Sequence, residues 1–196
     1  PEIMHPLTHE DLFSLEQYAR ERADLRARVL AHKRDRKIRI GKHVTLLFED
    51  RLTIQYQVQE MLRTEKIFEP EGIAEELGAY NPLIPDGGNL KATMLIEYDD
   101  VEERKRELLR LRNIEHAVQL AVAGHAPVTA VADEDLPRSN DEKTSAVHFL
   151  RFELDAPAAT DFKGGASVVF RIEHPNYRAE ARLTDSQQRA LAADFD

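Results

Sequence analysis

Ala132 to Leu154 reads ADEDLPRSNDEKTSAVHFLRFEL, an acidic turn running directly into the strongest β-strand pattern of the chain. Successive strand side chains point to opposite faces. Ala146, His148, Leu150, Phe152 and Leu154 therefore fall on one side, and Ser145, Val147, Phe149, Arg151 and Glu153 on the other. The first side is apolar apart from His148 and reads as core. The second mixes Val147 and Phe149 with charge, the pattern of a sheet face that meets either water or a partner.

The same alternation recurs on both sides of this stretch. Val44, Leu46 and Phe48 alternate with His43, Thr45 and Glu49; Ala92, Met94, Ile96 and Tyr98 with Lys91, Thr93, Leu95 and Glu97; Val168, Phe170 and Ile172 with Val169, Arg171 and Glu173. Ile38-Arg39-Ile40 precedes the first of these, and Gly41-Lys42 between them reads as a two-residue hairpin turn. Val128, Ala130 and Ala132 form a short strand, and Arg178 to Leu183 an edge strand. Helical spacing takes over elsewhere. A capping box of Thr8 and Asp11 opens one or two helices ending near Arg36, with Arg22 interrupting the apolar stripe. Arg51 to Phe68 is helical, and Pro70 to Leu77 is a short helix closed by Gly78. The helix from Val101 either continues to about Val122 or breaks near Asn113, which would make Ala117–Ala123 a strand. Thr184 caps a last helix. Strands that follow short turns as well as helices predict an α+β fold: a single domain with a largely antiparallel sheet of about five to seven strands and helices packed mainly on one face. Within it, residues 1–36 are helical, 37–183 mix sheet and helices, and 184–196 form the C-terminal helix.

A chain of 196 residues can remove roughly 70% of its unfolded surface from water without staples. It has no cysteine, which excludes disulfides, thiolate zinc sites, cysteine-ligated iron–sulfur clusters and thiol catalysis in this polypeptide. The longest apolar tract, near Ala117 to Ala132, is broken by Gln119, Gly124, His125 and Pro127 and is too polar to span a bilayer. No signal-peptide pattern opens the sequence, so the cytoplasm is the expected location. Net charge is −9 but uneven: Arg20 to Lys42 carries ten basic and three acidic residues, +7, leaving −16 on the remainder. Lys33, Arg34, Arg36 and Lys37 are the anion-binding candidates. Nucleic acid is not an expected ligand, because aromatic interleaving and a recognised motif are absent and the overall charge repels phosphate.

The best constellation for chemistry is Asp133, Glu134 and Asp135 with Arg138, Lys143, His148 and Arg151. Of these, Asp133, Asp135, Lys143 and His148 are the catalytic candidates, because carboxylates and an imidazole bind divalent metals and move protons. The competing reading is a core His148 hydrogen-bonded to a neighbouring carboxylate. On the helix after Arg51, Gln57, Glu60 and Glu65 lack a histidine at metal-ligand spacing, and Glu60 is expected to pair with Arg63. Nucleophile-elbow, Walker, Rossmann and His-Glu-x-x-His patterns are absent. Enzyme status therefore stays open, and no cofactor is expected.

Val44-Thr45-Leu46-Leu47-Phe48-Glu49, Gln59-Glu60-Met61-Leu62-Arg63, Tyr80-Asn81-Pro82-Leu83, Lys91-Ala92-Thr93, Lys143 to Phe152 and His174-Pro175-Asn176-Tyr177 together resemble an uncharacterised bacterial family, domain of unknown function 3501, over nearly the whole chain. The resemblance transfers no catalytic residue. It implies a context: members are encoded near rubrerythrin-like and heterodisulfide-reductase-like iron–sulfur proteins. The preferred expectation is an accessory or protein-interaction factor beside iron- or redox-handling enzymes, acting as a homodimer or with a protein partner. A His/carboxylate metal-dependent enzyme and an anion or nucleic-acid binder using residues 20–42 are the alternatives. If the strands are neighbours in one sheet, Leu47, Val147, Phe149, Arg151 and Arg171 share the interaction surface.

Overall fold

A computed structural model describes residues 5–134 and 143–196. Among them, strands β1 (Lys37–Ile40), β2 (Val44–Glu49), β3 (Asn89–Ile96), β4 (Val118–Val122), β5 (Val128–Thr129), β6 (Val131–Ala132), β7 (Val147–Glu153), β8 (Val168–His174) and β9 (Tyr177–Arg182) form two antiparallel sheets. One sheet has the order β1-β2-β3-β7-β6 and the other β5-β4-β8-β9. The helices are α1 (Leu15–Lys33), α2 (Arg51–Thr64), α3 (Pro70–Tyr80), α4 (Val101–Arg110), α5 (Ala156–Lys163) and α6 (Asp185–Ala192). The fold is α+β and antiparallel, as the alternation implies, with the strands divided between two sheets.

Those sheets face each other across one core. Phe48 on β2 and Phe152 on β7 meet Phe170 of the opposite sheet at centroid distances of 5.1 and 5.3 Å. All three are buried. Each such ring contributes on the order of 2–3 kcal/mol by leaving water, and the tilted and edge-on contacts add to this. The two sheets are joined where residues 128–132 pass from β5 in one to β6 in the other, the amide of Ala130 still donating to Val118 O. At the far edge Tyr177 of β9 donates its hydroxyl to Ile40 O and accepts from His43 N. Gly41 makes that closure fit: it adopts φ +74°, and a Cβ there would stand 2.5 Å from the Tyr177 hydroxyl.

Local chemistry accounts for most element ends. The Thr8–Asp11 capping box is present but closes only a short 3-10 turn; α1 starts afterwards on Ser14, whose side chain accepts from Gln17 N. Arg22 does not break α1. It interrupts the apolar stripe because it reaches across to α2, where Glu60 accepts from Arg22 and from the Tyr18 and Tyr56 hydroxyls. Glu60 is thus paired between helices rather than with Arg63, and Arg22 holds its carboxyl below the usual range. The β1–β2 loop has three residues, since Ile40 pairs with Val44. Helix α3 runs through Gly78 to Tyr80. Helix α4 stops at Arg110, and Asn113 in the left-handed region (φ +70°) turns the chain into β4. Helix α5, absent from the sequence reading, is capped by Asp155 with Pro157 in its first turn.

Helices α1 to α3 have hydrophobic clusters of their own, built on Ile54, Val58, Leu62, Ile73 and Leu77 and on Tyr18, Leu25 and Val29. Helices α5 and α6 instead add Phe162 and Leu191 to the core between the sheets. Arg36 joins these parts. It is only 2% exposed and donates to Phe48 O (2.9 Å), Glu49 O (3.3 Å) and Ala190 O (3.0 Å) while pairing with Asp194. Asp50, the cap of α2, lies 3.6 Å from the same guanidinium and 2.5 Å from His32 Nε2. Burial pushes the Asp194 carboxyl up to about 6 against the opposing pull of Arg36.

Candidate functional site

The two sides of the five-stranded sheet carry the two candidate sites. On the inner side, the strand parity that places Leu150 and Phe152 in the core places His148 there too, fully buried. Asp133 closes over it from the end of β6. Its backbone adopts φ +49°, a left-handed conformation that Asp tolerates better than bulky residues. The Asp133 amide donates to Phe149 O at 2.8 Å, and its Oδ1 accepts from Phe149 N at 2.9 Å. Its Oδ2 lies 2.6 Å from His148 Nδ1. On the other side of the ring, Nε2 is 2.6 Å from Thr144 Oγ1 and 2.9 Å from Ser145 O, and the Thr144 hydroxyl donates to the buried Glu115 at 3.2 Å.

Glu115, Asp133 and His148 offer ligand atoms within 4.8 Å of one another, a spacing and donor set that suit a divalent cation. Both ring nitrogens nevertheless already have protein partners, and a cation on Nε2 would displace the Thr144 hydroxyl. The hydrogen-bonded chain Asp133–His148–Thr144–Glu115 ties β6, β7 and the turn after α4 together. Of the sequence candidates, Asp133 and His148 meet here. Lys143 is exposed at the approach to β7, and Asp135 and Arg138 lie outside the described residues. Glu115 went unrecognised, because a glutamate in a 3-10 turn carries no local mark of burial.

On the outer side the registers place side chains in rows across the strands. Lys37, Leu47, Thr93 and Phe149 form one row; Arg39, Thr45, Leu95 and Val147 the next; and Glu49, Lys91, Arg151 and Val131 a third. Leu47, Leu95, Val147 and Phe149 are half-buried, and among the described residues Leu47, Leu95 and Val147 do not join any of the three hydrophobic clusters. Charge surrounds them. Arg151 is clasped by Glu134 (2.8 Å) and Glu153 (2.6 Å), contacts that hold it above its ordinary range and Glu134 below the carboxylate range. Lys91 turns its amine away to Pro82 O at 2.7 Å, where burial lowers its pKa.

Arg171 does not share this face. It lies on β8, in the other sheet, where it pairs with Glu180 of β9; the strands are not neighbours, so the same alternation points it elsewhere. Nor do Lys33, Arg34, Arg36 and Lys37 form one cationic surface. Arg36 is interior, Lys33 sits 5.9 Å over the Tyr56 ring, Arg34 is exposed on the 3-10 turn after α1, and Lys37 lies on the outer face of β1. The turn between α1 and β1 sends successive basic residues in different directions.

Two facing antiparallel sheets with a separate helical layer, one polar cluster satisfied from within and one half-buried apolar face define an α+β protein with no recognised catalytic constellation among its described residues. The chain belongs to the family described as protein of unknown function, DUF3501, which it matches over residues 6–195. It is similar to the crystal structure of a novel protein of unknown function from Burkholderia pseudomallei, with 50% sequence identity and a TM-score of 0.93 over 98% of this chain and 100% of that one. No curated protein matches the chain. No helix among the described residues is long and apolar enough to cross a membrane.

Proposed function

We propose that this protein is an accessory factor of an iron- or redox-handling enzyme system in the cytoplasm, and that it acts by binding protein through the outer face of its five-stranded sheet. The observation that carries this reading is the group of half-buried Leu47, Leu95 and Val147 on a sheet face bordered by charge, none of which joins a hydrophobic cluster of the described residues. Apolar side chains rimmed by Lys37, Arg39, Glu49 and Arg151 have the make-up of an association surface, with a dry centre and a charged rim. The partner class comes from the family context, rubrerythrin-like and heterodisulfide-reductase-like proteins. A chain without cysteine has no thiolate with which to hold an iron–sulfur cluster of its own, so its part in such a system is contact rather than electron carriage.

The test is co-purification from a host that encodes these proteins. The unaltered chain is expected to retain the rubrerythrin-like or heterodisulfide-reductase-like protein, and Phe149→Glu and Val147→Arg to release it while keeping the native circular-dichroism spectrum and urea midpoint. Retention of the same partner by both folded variants, or its absence from the unaltered chain, overturns the reading.

A further inference from the structure

We infer that the groove between α1 and α2 binds a small phosphomonoester, its phosphate held by Arg22, Arg26 and Arg63 and its apolar body laid along the alanine side of α1. The site belongs to the helical layer rather than to the sheet, and it stands independently of the interaction reading above.

The groove holds about 430 Å³, an ordinary volume for a small-molecule site. Ala19, Ala23, Ala27 and Leu30 of α1 line it. Steps of four, four and three residues put them on one side of the helix, next to the side on which Tyr18, Leu25 and Val29 are buried. All of them are exposed, Leu30 at 58%. The short alanine side chains leave a depth that longer ones would fill.

Every charged group in the lining is a guanidinium: Arg22 and Arg26, one turn apart on α1, and Arg63 on α2. Glu60, three residues before Arg63, is committed across the helix pair instead. It accepts from Arg22 Nε at 3.0 Å and Nη2 at 2.9 Å, and from the hydroxyls of Tyr18 and Tyr56. Arg22 is thus fixed by one edge of its guanidinium, and its Nη1 makes no hydrogen bond to the described residues. Arg26 and Arg63 have no ion-pair or hydrogen-bond partner among the described residues.

Three guanidiniums against the one Glu60 carboxylate leave a net charge of +2. A phosphomonoester carries about −1.5 to −2 at pH 7 and offers three acceptor oxygens, which the forked donors of arginine match in pairs. A monocarboxylate supplies half that charge. A nucleic-acid phosphodiester carries a single charge per phosphate, and a polyanion is repelled by the net −9 of the chain. Charge and acceptor number therefore select the monoester, and the apolar lining selects one with an alkyl or aryl group.

Isothermal titration calorimetry with phenyl phosphate tests this, at low ionic strength because salt screens exposed charges. One molecule should bind per chain, inorganic phosphate should bind more weakly, and phenol should not bind. Arg26→Gln and Arg63→Gln should each weaken phenyl phosphate about tenfold, whereas Arg178→Gln, on the edge strand β9, should leave it unchanged. Ala23→Leu, which fills the groove, should weaken phenyl phosphate more than inorganic phosphate. Ala23, Arg26, Arg63 and Arg178 are all exposed, so each variant should keep the urea midpoint of the unaltered chain. Four results overturn the inference: no binding of phenyl phosphate by the unaltered chain, binding unchanged in the folded double variant Arg26→Gln with Arg63→Gln, an equal loss on Arg178→Gln, or no effect of Ala23→Leu. A single-stranded oligonucleotide that binds the same arginines more tightly than phenyl phosphate does would overturn it too. The result with the unaltered chain needs no variant to fold, and it leaves the partner test on Phe149→Glu untouched.

Discussion

Strand β7 presents two different chemistries from alternate positions. His148, Leu150 and Phe152 are buried against the opposite sheet, whereas Val147, Phe149 and Arg151 are half-buried on the outer side. The apolar content of the two sides is not what separates them, since each carries one phenylalanine and one aliphatic residue. They differ in what lies opposite. Phe152 has the Phe170 ring 5.3 Å away, and His148 has carboxylates on both sides; Val147 and Phe149 are only partly covered. A hydrophobic side chain therefore contributes its full burial to the fold only where an opposing layer of the chain covers it completely.

The contrast is most exposed to failure at the two phenylalanines. Phe152→Ala should lower the unfolding free energy by about 3–5 kcal/mol, because the rigid core around Phe48 and Phe170 closes only partly over the cavity. Phe149→Ala should cost less than about 1 kcal/mol. Urea unfolding of both variants checks this, and equal losses would mean that the outer face is packed within the chain after all.

A second test concerns the buried carboxyl of Asp194, paired with Arg36. Burial raises the Asp194 carboxyl to about 6 from an ordinary value of 3.8, so the folded state binds this proton more tightly than the unfolded state. Its contribution to stability is then full below about pH 4 and is lost as pH rises through about 6. A shift of about two pH units corresponds to on the order of 3 kcal/mol. Asp194→Asn, which keeps an oxygen for Arg36, should gain on the unaltered chain by that order between pH 4 and pH 7. Parallel urea midpoints across this range would show no divergence if Arg36 instead held Asp194 ionised.

A more modest effect than at Phe152 is expected at His148. His148→Ala should lower stability by about 1–3 kcal/mol through lost packing and through the hydrogen bonds withdrawn from Asp133 and Thr144, and it should leave metal content unchanged. An unaltered urea midpoint together with loss of a bound divalent metal, measured on protein purified without a histidine tag, would turn the cluster from a structural tie into a cation site.

How far the candidate sites could be read from sequence depended on the distance over which their determinants act. The pairing of His148 with a carboxylate was legible, since strand parity put an imidazole among apolar neighbours and a buried polar group requires a partner. That Asp133 is one partner was half legible from the nearby acidic turn; that Glu115 is another was not, because it arrives from a turn 33 residues upstream of His148. Arg36 was read as a surface cation, as most arginines in a basic run are. Its interior role rests on Ala190 and Asp194, 154 and 158 residues away.

Alternation, capping residues and proline–glycine punctuation are properties of a few adjacent residues, and by themselves they determined the antiparallel strands, most helix starts and the α+β class. Asn113 showed the limit of this. The sequence offered it as a break or as a continuation, and the left-handed turn there, φ +70°, is fixed by what Ile114 and Val118 bury. Only the tertiary structure decided that the strands divide into two facing sheets, that Arg171 leaves the face shared by Leu47, Val147, Phe149 and Arg151, and that Arg36 turns inward. Each of these depends on which distant strand or helix supplies the opposing surface, and a periodic pattern specifies that a face must be covered without specifying by what.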